Sequence, residues 1–383
     1  MKSVFARHLY TGKALRENVY INFSNTAVAG VSKKANGKLI GEYPTVTPAF
    51  IDPHSHIGLV RSGEPEQEAD GNEKMASMTV FSDVLDGLQM DDAAFQDAVE
   101  MGVLYSCVMP GSGNILGGRC AVIRHFAEDS SRALVSRAGI KAAFGYNPTS
   151  TTAWKGKRPS TRMGAVGMLR EKLADVSQKL DQYRTAPASK KKDMAFTAPE
   201  KLFRAILEGR ERLRVHVHKI DDIAAVLRLI DEFDLDVTIE HAMDVHRPEI
   251  FRVLKQRRIP VIYGPIDSFA YKVELKHENW RNIRHLLSTG VDLGLMTDHP
   301  VVPARNLLMQ TRWFLRNGWN RQAAIELVSR KNAEILGIDD RVGTLRRGRW
   351  ASFVCWNGDP FDLSRYPVAV YGEGNLLFSA GSS

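Results

Sequence analysis

Apolar and polar positions along this chain follow two different rhythms. As far as about Pro48, short β-favouring pieces such as Asn18 to Phe23 and Thr26 to Val31 are separated by turn clusters at Thr11-Gly12 and Asn36-Gly37. That pattern predicts part of a small β-sandwich. Beyond Pro48, short apolar runs alternate with amphipathic stretches. Strands are predicted over Pro48 to Pro53, Gly102 to Met109, Ala121 to Arg124, Gly139 to Gly145, Leu213 to His218, Leu235 to Glu240, Ile259 to Tyr263 and Val291 to Thr297. Helices are predicted over Asp91 to Met101, Glu200 to Arg212, Ile220 to Phe233 and Arg247 to Arg258.

Eight strands with crossover helices over about 290 residues suit an α/β fold of the (β/α)8 TIM-like barrel type, whose active sites sit at the C-terminal strand ends. Gly58 to Asp86 and Tyr146 to Ala198 are too long for plain crossovers and are expected to be lids or insertions. After a helix closing at Asn332 to Gly337, the strand Ser352 to Trp356 is expected to return to the N-terminal sandwich. The chain therefore divides into 1–48 (sandwich, first part), 49–340 (barrel) and 341–383 (sandwich, second part).

Composition narrows the class. With 383 residues and 44% hydrophobic content, the chain can bury one large core and a satellite. No apolar run approaches the roughly 20 residues of a membrane span, and Met1 to Tyr20 lacks a long apolar core of its own, so a cytoplasmic protein with no membrane partner is expected. Cys107, Cys120 and Cys355 are odd in number and widely spaced, which argues against a disulfide framework or a cysteine zinc site; Cys107 and Cys120 read as packing residues. The net charge of +8 is scattered, and no nucleic-acid module is apparent, so no nucleic-acid partner is expected. The densest basic stretches are Lys190 to Lys192, read as a solvated turn, and Trp154 to Arg162, which would flank a pocket and favour an anionic substrate.

Candidate chemistry lies at the strand ends. In Phe50-Ile51-Asp52-Pro53-His54-Ser55-His56, residues two apart on a strand point the same way, so His54 and His56 share one space. Val215-His216-Val217-His218 offers a second such pair, Val237 to His241 ends in an imidazole, and Val291 to Asp298 ends in a carboxylate, with His299 next to it. His, His, His and Asp at C-terminal strand ends form a set that a divalent metal such as zinc prefers.

On these motifs, together with Asn332 to Gly337, Arg341-Val342-Gly343-Thr344-Leu345 and Gly358-Asp359-Pro360, the chain resembles the amidohydrolase superfamily over nearly its whole length, in the branch related to imidazolonepropionase. The resemblance implies a metal-dependent hydrolase with a barrel and a sandwich built from both termini. It implies His54, His56, His216 and His241 as ligands, Asp298 as ligand and proton handler, and one or two Zn2+ ions, with Mn2+ or Fe2+ as alternatives. Of the strand-five pair, His216 is the expected ligand and His218 a catalytic or substrate contact. Lys141 matches the carboxylated lysine that bridges two metals in relatives; the competing reading is an ordinary surface lysine at a strand start. A homo-oligomer, commonly a dimer, is also implied.

Departures carry information. Pro48-Ala49 replaces Pro-Gly, Ala351-Ser352-Phe353 replaces Ala-Asp-Leu, and Gly145-Tyr146-Asn147-Pro148 has tyrosine where the branch carries glutamate. Lys219 stands where deaminases and imidazolonepropionases of the superfamily place a glutamate three residues after the strand-five histidine. The expected reaction is therefore hydrolysis of a non-standard C-N bond (an amide, cyclic amide or dipeptide-like bond) by a metal-activated water, with Asp298 as proton acceptor and His218 or His299 against the oxyanion. The alternatives are a zinc-dependent deaminase of an aminated heterocycle and a catalytically silent binding protein. The loop Met109 to Arg119 lacks a phosphate-loop pattern; Ser112, Asn114 and Arg119, with Lys219 and Arg305, are the expected contacts for a small, carboxylate-bearing substrate.

Overall fold

The computed structural model describes residues 1–150, 156–192 and 194–381. Trp154 and Lys155, the start of one basic stretch, lie outside the described residues.

Four strands open the chain: β1 (Lys2–Tyr10), β2 (Leu15–Ser24), β3 (Ala27–Ser32) and β4 (Lys38–Pro48). The barrel strands follow: β5 (Phe50–Ser55), β6 (Val103–Val108), β7 (Leu116–Arg124), β8 (Leu134–Ala143), β9 (Leu213–Val217), β10 (Val237–His241), β11 (Val261–Tyr263) and β12 (Leu293–Leu295). β13 (Phe353–Trp356), β14 (Pro367–Gly372) and β15 (Asn375–Ser379) close the chain. The first and last groups join in one seven-stranded sheet, in the order β15-β14-β13-β4-β1-β2-β3. The join is the antiparallel pairing of β13 with β4, Cys355 opposite Val46. Val4, Ile21, Phe23, Phe353 and Tyr371 pack into a core of this sheet's own.

The other eight strands form the barrel sheet in chain order, and every residue of β5, β6, β9, β10, β11 and β12 is buried. Burial on both faces is what a strand inside a ring of helices requires. The helices Ala93–Glu100, Ala198–Leu207, Ile220–Phe233 and Glu249–Gln256 supply that cover, each with an apolar stripe turned inward. A capping box between Thr197 and Glu200 starts the second of them.

Three features depart from the sequence reading. β7 begins at Leu116 and runs antiparallel to both β6 and β8. Only residues 109–115 join β6 to β7, too few for the dozen or so that a parallel crossover needs. Consequently part of the expected substrate loop is strand. The stretch Tyr146 to Ala198 is dominated by a helix of 24 residues, Arg162–Thr185, which buries Ala165, Leu169, Leu173, Val176 and Leu180 along one side. β8 starts five residues earlier than expected, so Lys141 lies near its C-terminal end.

The seam between β12 and β5 is closed by side chains. Asn332, fully buried, donates to the carbonyls of Ile51 (2.7 Å) and Leu295 (2.9 Å) and accepts from the Leu295 amide (3.1 Å). Asp52 accepts from the Thr297 amide at 3.2 Å and from its hydroxyl. These bonds hold His54 and Asp298 in register, and the Asp298 amide donates to the His54 carbonyl at 3.1 Å.

Candidate metal centre

β5, β8, β9, β10 and the turn after β12 deliver their side chains to one buried space at the C-terminal ends of the strands. His54 Nε2 lies 3.1 Å from Lys141 Nζ and 3.4 Å from Asp298 Oδ1, and His56 Nε2 lies 3.2 Å from the same Asp298 oxygen. The ring of His241 sits 4.8 Å from His54 and 4.2 Å from His216, and His218 packs 4.6 Å from His241. Two sets of side chains have donor atoms close enough to share an ion: His54, His56 and Asp298, and His216, His218 and His241.

Outer contacts fix which nitrogen of each ring points inward. His54 Nδ1 faces Glu240 Oε2 at 3.0 Å, His56 Nδ1 donates to the Met109 carbonyl at 2.7 Å, and His241 Nδ1 donates to the Gly264 carbonyl at 3.0 Å. Each bond places the proton on Nδ1 and leaves Nε2 as a lone-pair donor, the arrangement common to metal-ligating histidines. Ser112 Oγ holds His216 Nδ1 at 2.8 Å. Two of these residues take backbone shapes rare for residues with side chains: φ is +77° at His241 and +51° at Asp298. At His241 this breaks strand alternation, so that Glu240 and His241, neighbours in sequence, both reach His54. Such conformations cost about 1–3 kcal/mol each and persist where surrounding structure enforces them.

Burial sets the charge states. It pushes His54, His218 and His241 well below the usual imidazole range, assisted for His54 by Lys141 and for the other two by His216. His216 is pushed down to about 4 by burial, against the pull of Glu274. Burial lowers Lys141 too, outweighing the attraction of Asp298 and Glu240. For Asp298, burial works upward, but the hydrogen bond and charge of His56 outweigh it and hold the carboxyl below its usual range. Neutral imidazoles beside an ionised carboxylate are the protonation states a divalent cation binds. His241 Nε2 and both nitrogens of His218 are buried without hydrogen-bond partners. Unsatisfied buried nitrogens are costly, and a cation among them removes that cost, so the donor set fits zinc or a similar ion.

Lys141 is fully buried, and the surface-lysine reading does not apply to it. The expected substrate contacts fare differently from one another. Ser112 is engaged by His216. Asn114 Nδ2 is spent on the carbonyls of Glu73 and Ala76, both at 2.8 Å, where it staples the segment before β7. Arg119 pairs with Glu211 at 2.9 Å, beside the start of β9 and away from the metal-type side chains. Strand reversal in β7 accounts for this, since it carries residues after Leu116 away from the rim. Arg305 pairs with Asp97. Lys219 is half-buried at the start of helix Ile220–Phe233, directly after His218. His299 is buried with Nε2 unpartnered, and burial pushes it down to about 4.

Two carboxylates were not anticipated. Glu240 Oε1 accepts from Thr238 Oγ1 at 2.5 Å and lies 3.5 Å from Arg214 Nη1. Glu274, from the loop after β11, puts Oε1 3.6 Å from His216 Nε2 and 3.9 Å from His218 Nε2. Its other oxygen accepts from the Tyr146 amide at 2.9 Å, and Lys272 Nζ sits 2.8 Å from Oε1. A carboxylate thus reaches the fifth-strand histidines from another part of the chain, where Tyr146 and Lys219 had indicated a loss. Glu240 was visible in the sequence only as the residue before His241; Glu274, 33 residues beyond it, carried no local signal.

Among the described residues no helix is long and apolar enough to cross a membrane, and all three cysteines are free and buried.

Comparison with known proteins identifies relatives of this chain. An amidohydrolase from Thermotoga maritima MSB8 superposes with a TM-score of 0.90 at 30% identity, covering 99% of this chain and 100% of that one. The Amidohydrolase tasK of Hapsidospora irregularis is 26% identical over 355 residues, 87% of this chain. The chain spans about a third (36%) of the length of that relative. A prolidase complexed with N-methylphosphonate-L-proline shares the fold, with a TM-score of 0.62 at 14% identity over 99% of each chain. The profile of the amidohydrolase family matches residues 45–376, from the end of β4 to β15. By that match, which spans most of its length, the chain belongs to the amidohydrolase family.

Proposed function

We propose that this protein is a metal-dependent hydrolase that cleaves an amide, cyclic amide or dipeptide-like C-N bond in a small molecule. The observation that carries the reading is the convergence of His54, His56 and His241, each tied at Nδ1 with Nε2 turned inward, on the space around Asp298 and Lys141. His54, His56 and Asp298 would hold one Zn2+, and His216 and His241 a second. Lys141, whose amine burial pushes down and which lies 3.1 Å from His54 Nε2, is the residue whose carboxylation would bridge them. When bound, a divalent ion polarises the substrate carbonyl and lowers the pKa of water toward about 7.

The residues of the chain do the rest. Asp298 Oδ1 takes one proton from water as the water oxygen bonds to the carbonyl carbon; the C-N bond then breaks and the same proton passes to the departing nitrogen. His218, with both ring nitrogens unpartnered, is placed to donate to or accept from substrate. Lys219, at the N-terminal end of its helix, supplies the positive charge that favours a carboxylate on the substrate.

Glu274 supports a second reading, a deaminase, because it restores a carboxylate beside His216 and His218. Burial works against its ionisation, yet its bonds and charge interactions with His216, His218 and Lys272 hold it well below the usual carboxylate range. A carboxylate so held is a poor proton shuttle, which favours amide hydrolysis.

The test is metal analysis of purified protein combined with a turnover screen over N-acyl amino acids, dipeptides, lactams and hydantoins. Expected are bound zinc and hydrolysis in one of these classes, with His54→Ala and Asp298→Asn folded and slowed by about 10²–10⁴-fold or more. Full turnover in either variant at normal zinc content would contradict the proposal, and ammonia release from an aminated heterocycle would favour the deaminase.

A further inference from the structure

We propose that Asp244, His246 and His277 form a second divalent-cation site on the barrel rim, distinct from the central one, for a zinc-class ion. Asp244 and His246 belong to the turn after β10, and His277 to the loop after β11. One donor atom from each lies within 4.8 Å of the others.

Each side chain is already oriented for the task. His246 Nδ1 faces the Asp244 carbonyl at 3.0 Å, which leaves Nε2 as the donor, the same device that orients His56 and His241. His277 Nδ1 faces Asp244 Oδ2 at 3.3 Å, and the Asp244 carboxylate also accepts from the His277 amide at 2.5 Å. The two imidazoles lie side by side, their centroids 4.2 Å apart. Zinc bond lengths of about 2.0–2.2 Å put tetrahedral donors roughly 3–4 Å apart, so closure needs only side-chain rotation.

Polarity favours a cation here. Asp244 is buried at the base of the cluster, whereas the His277 side chain is 42% exposed, which gives an ion a route in and leaves room for water in the remaining coordination position. Glu278, adjacent to His277, has a buried Oε2 without a hydrogen-bond partner, and its carboxylate lies within electrostatic reach of Asp244. Lys272, whose charge reaches Glu278, is engaged by Glu274 at 2.8 Å. Two half-buried or buried carboxylates close enough to repel one another favour an ion between them.

Two imidazoles and a carboxylate match the donor preference of zinc, and also of nickel and copper, better than that of magnesium or calcium. The ion would staple the two rim loops together. Glu274 stands three residues from His277, so the staple would fix the segment that holds Glu274 against His216.

The experiment titrates Zn2+ into protein whose central site is already filled and counts bound metal after gel filtration. Wild type should take up one further equivalent. His246→Ala and His277→Ala should lose it or bind it at least about tenfold more weakly, with unchanged melting temperature and unchanged turnover before the extra zinc is added. Asp298→Asn, altered only at the centre, should keep it. Cu2+ loaded at this site should show imidazole nitrogen couplings by electron paramagnetic resonance that disappear in the two histidine variants. Hydrogen exchange of residues 264–282 should slow in wild type when the ion is added. Absence of a further equivalent in wild type, or equal uptake by the His246→Ala/His277→Ala double variant, would overturn the proposal.

Discussion

The carboxylate of Glu240 faces His54 Nδ1 at 3.0 Å, although 186 residues separate them. Neither side chain is exposed. Arg214 and Thr238 hold the other oxygen of Glu240, so a buried chain of contacts from β9 and β10 decides which nitrogen of His54 faces the central space.

Substitution of Glu240 by Gln should therefore act on the metal without touching it. The amide can present the wrong atom to His54, and Arg214 loses its buried counter-charge. We expect metal affinity to fall about 10–100-fold, read by chelator competition, together with a lower melting temperature. Unaltered metal retention would show that Glu240 does not orient His54.

Lys141 gives a spectroscopic prediction. Its amine is buried, pushed down by desolvation and next to His54. Protein prepared in 13C-bicarbonate should display a carbamate carbon resonance that acid treatment removes and that Lys141→Met lacks. If the resonance is missing in active wild-type protein, a bridging carbamate is ruled out and Lys141 serves as an ammonium or amine.

Glu274 and Lys272 form a pair that should fail when halved. Lys272 Nζ is 2.8 Å from Glu274 Oε1, and its side chain is only 9% exposed. Glu274→Gln strands a buried ammonium, a loss of the order of 3–5 kcal/mol, and should lower both stability and turnover. Adding Lys272→Met should recover much of the melting temperature but not the turnover. Recovery of both would mean that the carboxylate contributes nothing to the site beyond satisfying its lysine.

Acid should destabilise the metal-free protein in a defined window. His216 and His299 are pushed down to about 4 and His125 to about 3, chiefly by burial, whereas an unfolded histidine titrates near 6.5. The unfolded chain binds these protons first, so stability is full above pH 6.5 and falls as pH drops toward 4, with a slope of about 1.4 kcal/mol per pH unit for each histidine kept neutral. Thermal melts of chelator-treated protein between pH 8 and pH 4 check this. A flat profile would mean that the imidazoles charge within the fold. His125→Gln, outside the metal-type cluster and bonded to Val103 and Ser106, should reduce the slope without changing metal uptake.

What the sequence by itself determined is what two-residue alternation governs. His54 and His56 aim at one space, the histidines of β9 and β10 lie at strand ends, and the amphipathic helix Ile220–Phe233 has the bounds its apolar spacing predicts. Some of the missed geometry was also within reach: the residues 110–120 between the expected strands Gly102 to Met109 and Ala121 to Arg124 are already fewer than the dozen or so of a parallel crossover, which implies the reversal that turns Arg119 away from the rim. Only the tertiary structure decided the rest. Lys141, expected early in its strand, lies near the end of β8 as a buried neighbour of His54. His241 turned inward beside Glu240 because its own φ is positive, and Glu274 arrived at His216 along a loop whose course no local pattern encodes. Alternation and helical spacing are properties of adjacent residues. The meeting of charges from distant segments depends on how the closed barrel seam, tied by Asn332 and by Asp52 with Thr297, sets the strand ends against one another.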